Sequence, residues 1–81
     1  MKRGSFSAAF AAALKRERSA RGLSQERLAH RAGLARQYVG MIERGERKPT
    51  LEAGYALAKA LGVPLSVLVR EAERLSARGA S

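Results

Sequence analysis

Apolar residues recur along this chain at intervals of three and four, the spacing of one face of an α-helix, and nowhere alternate as in a strand. Gly, Pro and capping residues divide the pattern into five stretches. The first predicts a helix from about Ser7 to Ala20, ending at Gly22. Phe6, Phe10, Ala13 and Leu14 lie on its apolar face, with Lys15 and Arg16 off it. The second runs from about Gln25 to Ala32, with Ser24 as its cap and Leu28, Ala29 and Ala32 at helical spacing. Gly33 follows, where the chain must turn through φ > 0 at little steric cost. The third runs from about Arg36 to Arg44 and ends at Gly45, with Val39 and Ile42 inward and Arg36, Gln37, Tyr38 and Met41 outward. After a polar loop at residues 46–49, Thr50 caps a fourth helix that reaches Leu61 and closes at Gly62. Pro64 suits the first turn of a fifth helix, where Leu65, Leu68, Val69, Ala72 and Leu75 form a stripe. The expected fold is all-α, a compact bundle of five short helices. One domain spans residues 1–81, with its core at 6–76 and flexible ends at 1–5 and 77–81.

The second and third helices, meeting at a Gly-bearing turn, form a helix-turn-helix whose second helix can enter a DNA major groove. Charge supports this reading. The chain of 81 residues carries 16 Lys and Arg against 7 Asp and Glu. Residues 1–22 hold six basic and one acidic side chain, residues 23–49 six and three, and residues 50–81 four and three. The excess therefore surrounds the helix-turn-helix, as a polyanion partner would require. A solvated surface is the bland alternative for a basic protein.

Other classes find little footing. There is no Cys, hence no disulfide framework, thiolate nucleophile or Cys-based zinc site, and one His builds no metal cluster. No cofactor is expected, and an enzyme is disfavoured. Lys2 and Arg3 before SFSAAFAAAL resemble the start of a signal peptide, but KRER follows at once without a small-residue cleavage stretch. No run approaches the ~18–20 apolar residues of a membrane span. A cytoplasmic location, with prokaryotic or phage DNA, is the expectation.

Residues 10–68, through the succession GLSQ, LA, AGL, IERG, PTL and ALGV, resemble the phage-repressor-like (Cro/C1-type, XRE) helix-turn-helix domains. The RQYVGMIERGERKPTL segment is similar to the controller proteins of restriction–modification systems. The resemblance implies that Arg36, Gln37 and Met41 face base edges. It implies that Gln25 bonds a phosphate and braces the recognition helix, and that Arg44, Arg47 and Lys48 contact phosphates. Arg18 and Glu43 match a family ion pair that positions the reader. The chemistry is consistent: Arg can fork onto guanine O6 and N7, Gln can pair with adenine N6 and N7, and Met offers only apolar contact.

Several positions depart from the family pattern. Ala35 replaces the usual Ser or Thr cap, and Gly40 lies inside the recognition helix, where it could let the backbone approach DNA closely. Gly54 stands where Leu is more common, leaving room for Tyr55 or a partner side chain. Tyr38 could pack against the turn or donate its hydroxyl to a phosphate, and His30 reads as an exposed helix residue.

The leading expectation is a sequence-specific DNA-binding regulator acting as a homodimer on a partly palindromic operator, by blocking or contacting RNA polymerase. Leu65, Leu68, Val69 and Ala72 are the dimer candidates, although the same stripe could simply complete the core. No small-molecule ligand is evident. An antitoxin or adaptor gripping a protein through the fifth helix is the alternative, and structured RNA is a weaker one because no aromatic platform is present.

Overall fold

Short polar side chains open the first, second and fourth helices, each accepting a hydrogen bond from an otherwise free backbone N–H three residues on. Ser5 accepts from Ala8, Ser24 from Arg27 and Thr50 from Ala53, at 3.0–3.1 Å. The structure, a computed structural model, describes residues 5–80. Its helices are α1 (Phe6–Ala20), α2 (Gln25–Ala32), α3 (Arg36–Glu43), α4 (Leu51–Leu61) and α5 (Leu65–Ala80), with no strand among the described residues. The all-α fold expected from the periodicity is the one observed. Of the ends expected to be flexible, residues 1–4 and 81 lie outside the described residues. Ser5 is the cap of α1, and α5 continues to Ala80.

Helix exits are equally local in origin. Gly33 stands at φ 71°, which lets the Leu34 N–H reach back to the Ala29 carbonyl at 2.9 Å and close α2. Gly62 closes α4 in the same way, with Val63 N–H on Ala58 O at 3.0 Å. Pro64 precedes α5 rather than lying within its first turn, and its carbonyl accepts from Val67 N at 3.0 Å.

Packing then orders the helices. α1 lies chiefly against α5, α2 against α4 and α3, and α3 also meets α1. α4 and α5 meet at a bend of 107°. Leu14, Leu28, Val39, Ile42, Leu57 and Leu68 are fully buried and draw on all five helices. No single helix among the described residues is long and apolar enough to cross a membrane. Phe6, expected on the apolar face of α1, is 46% exposed because it begins the helix at the edge of the core, whereas Phe10 is buried.

Candidate nucleic-acid interface

The inner face of α3 is anchored by Val39 and Ile42, both buried in the core. This leaves Arg36 and Gln37 exposed and Met41 half-buried on the opposite side. No other side chain among the described residues engages Arg36 or Gln37 in a hydrogen bond or ion pair, so both have their donors available. Tyr38 departs from the outward set. It is half-buried against the core, and its hydroxyl oxygen accepts from Thr50 N at 3.4 Å. The hydroxyl proton is still available to an acceptor.

A polar clamp fixes the angle of α3. Arg18 on α1 donates to Glu43 through Nε at 2.7 Å and Nη2 at 3.0 Å, and through Nη1 to the Leu23 carbonyl at 2.6 Å. Glu43 Oε1 also accepts from Gln25 Nε2 at 3.0 Å. The side chains of Arg18 and Glu43 are only 13% and 2% exposed, so this pair is largely removed from water. One carboxylate thus joins α1, the start of α2 and the end of α3. Gln25 thereby ties the start of α2 to the end of α3, with its amide nitrogen already committed to Glu43.

Gly40 lies under the protein's own side chains. A Cβ at this position would lie 3.1 Å from Arg44 Nη1 and 3.4 Å from Gln25 Oε1. The notch is occupied by the protein's own polar side chains, and Gly40 is buried beneath them. Gly54, for its part, faces Phe10 and Leu65, each 3.7 Å from an added Cβ, while Tyr55 points outward. Ala35 makes no side-chain cap, alone among the caps given for α1 to α4.

Beyond α3 lies a basic loop. The Arg47 guanidinium sits over the Tyr38 ring, 5.6 Å from its centroid, and Lys48 is exposed. Arg44 is exposed but occupied: Nε and Nη2 fork onto Glu46 Oε2 and Oε1 at 2.9 and 3.1 Å. These hydrogen bonds hold the Glu46 carboxyl below the usual carboxylate range and raise the Arg44 guanidinium above its own. His30 is exposed on α2 beside Glu26, Arg27 and Arg31.

The dimer candidates divide. Leu68 and Ala72 are fully buried against the protomer's own core and offer nothing to a second copy. The stripe turns inward there because α1 covers α5. Leu65 and Val69 are only half-buried and border a groove with Phe6, Leu51 and Gly54. Leu51 is 80% exposed and Tyr55 55%, which extends the apolar face along α4, an extension that helical spacing alone did not mark.

The profile of the Helix-turn-helix family matches residues 14–68, most of the chain and all of the clamp and α3. The chain belongs to the helix-turn-helix family of XRE/Cro-C1 type. An uncharacterized HTH-type transcriptional regulator, y4dJ of Sinorhizobium fredii, is 48% identical over 52 residues, 64% of each chain, so the match spans just under two thirds of that relative. The restriction–modification controller protein C.AhdI from Aeromonas hydrophila shares 44% identity at a TM-score of 0.75, over 76% of this chain and 94% of its own. The controller protein C.Esp1396I, solved as a tetramer with its natural 35 base-pair operator, shares 26% identity at a TM-score of 0.82, over 89% and 95%.

Within this helix-turn-helix domain the structure brings Gln25, Arg44 and Gly40 together over α3, and joins Tyr38 with Arg47 and Thr50 at the loop. Two participants were missed from sequence: the Leu23 carbonyl, which completes the Arg18 fork, and Glu46, which occupies Arg44. A signal for Glu46 existed in the opposite charges flanking Gly45 at a helix exit.

Proposed function

We propose that the protein is a sequence-specific DNA-binding transcriptional regulator that acts in the cytoplasm as a homodimer on a partly palindromic operator. The observation that carries this reading is the outer side of α3, where Arg36 and Gln37 stand exposed and unengaged on a helix clamped from behind. Arg36, Gln37 and Met41 read bases. Gln25, Tyr38, Arg44, Arg47 and Lys48 hold phosphates, which set register without sequence information. Leu51, Tyr55, Leu65 and Val69 supply the apolar face for a second copy, so that two reading helices meet half-sites roughly one helical turn, about 34 Å, apart. Support for the second copy comes from the exposed apolar face itself and from the relative crystallised as a tetramer on its operator. Regulation follows from occupancy, which excludes or contacts RNA polymerase, and no catalytic step is involved.

Selection of bound sites from random duplex DNA tests the proposal. Two inverted half-sites are expected. Arg36→Ala should relax one base position, a discrimination worth about 1–3 kcal/mol, while Lys48→Ala should weaken every sequence alike. Equal loss across all sequences for Arg36→Ala would remove Arg36 from base reading. Absence of any retention on duplex DNA at low salt would overturn the function itself.

A further inference from the structure

Arg44 is the basic residue of the loop region whose hydrogen-bonding edge is already taken. Its Nε and Nη2 donate in parallel to the two carboxylate oxygens of Glu46, two residues on. This is the same edge that would fork onto two phosphate oxygens, since carboxylate and phosphate present similar acceptor pairs to a guanidinium. The other terminal nitrogen, Nη1, is directed over the notch at Gly40. The guanidinium therefore lies across the outside of α3 with its fork filled from the protein's own loop. Both partners are more than half exposed, which leaves the pair open to exchange with an external anion.

We infer that Glu46 is an internal competitor for the DNA phosphate at Arg44, a built-in brake on affinity. The inference rests on the DNA-binding reading and adds to it a residue that opposes binding. When a phosphate takes the fork, Glu46 loses its counter-ion and is left ionised beside a second anion. An exposed glutamate is ionised at neutral pH with or without its Arg44 partner, so the competition persists there. Like charges a few ångströms apart near a surface repel measurably, and the repulsion is independent of base sequence. Part of the counter-ion release gained at the phosphate is also cancelled, since the freed carboxylate gathers a cation of its own.

The test is binding of a fluorescent duplex across a salt series by the full chain, its Glu46→Gln variant, Arg44→Ala, and Arg44→Ala/Glu46→Gln. Glu73→Gln, which removes an exposed charge on α5, is the control for net charge. Glu46→Gln should tighten binding about three- to tenfold on specific and random duplexes alike, and steepen the slope of log affinity against log salt by up to about one. That gain should vanish in the Arg44→Ala background and exceed the effect of Glu73→Gln. Circular dichroism verifies that each variant is folded. A Glu46→Gln effect no larger than that of Glu73→Gln, or undiminished without Arg44, would overturn the competition. If the unmodified chain shows no salt-dependent duplex binding, the DNA-binding reading fails instead, and the two failures are told apart.

Discussion

Removing Arg18 should destabilise the domain more than any exposed charge could, and restoring apolar packing should recover much of the loss. The Glu43 side chain is 2% exposed and receives two of its three hydrogen bonds from Arg18. Arg18→Met keeps an unbranched stem of similar length but strands the carboxylate with Gln25 alone. It also removes the donor to the Leu23 carbonyl. Breaking a buried pair from one side costs about 3–5 kcal/mol, and the residual exposure of Arg18 with the surviving Gln25 bond places this case near about 3. For a domain of this size, about 3 kcal/mol lowers Tm by about 12–24 °C. Arg18→Met/Glu43→Leu removes both charges at similar volume and should stand well above the single variant, because no uncompensated charge is left behind. Urea titrations followed by circular dichroism at equal m-values measure the difference. A loss below about 1 kcal/mol for Arg18→Met, or a double variant no more stable than the single, would refute the claim that the clamp is desolvated.

Two further substitutions separate stability from binding. Ala35→Ser should stabilise α3 by about 1 kcal/mol, since Ala35 already has the extended cap backbone and the new hydroxyl can accept from Tyr38 N as the other caps do; thermal melts read the gain, and no rise in Tm would count against it. Gly40→Ala should leave stability unchanged or raise it by up to about 1 kcal/mol while weakening duplex binding, because the added Cβ displaces the flexible end of Arg44 and crowds Gln25. Paired melting and binding curves check this, and unaltered affinity would show that the notch does not set the phosphate contacts.

Helix boundaries were legible because their causes are local. Ser24, Gly33, Thr50 and Gly62 act within one turn of their own positions, so the sequence near each one suffices. The outward set on α3 was mostly legible for the same reason: once Val39 and Ile42 face inward, Arg36 and Gln37 must face out. Tyr38 stayed open between packing and a phosphate contact, since its placement depends on Thr50 and Arg47, which reach it only after the loop folds back. The Arg18–Glu43 pair was visible only through the family resemblance. No periodicity links residues 25 positions apart on different helices.

By itself, then, the sequence determined five helices, most of their ends to within a residue, and the basic character of the first two-thirds of the chain. Only the tertiary structure decided what surrounds each side chain. Helical spacing shows that Leu65, Leu68, Val69 and Ala72 share a face. It took α1 lying over α5 to bury Leu68 and Ala72 and leave Leu65 and Val69 at an edge continued by Leu51 and Tyr55. Likewise, Gly40 reads in sequence as a weak point in a helix, and in the fold as the floor beneath Gln25 and Arg44. The difference is physical. Caps and periodicity are set by the backbone within a turn or two, whereas burial, clamping and competition for a charged group are set by neighbours brought from elsewhere in the chain.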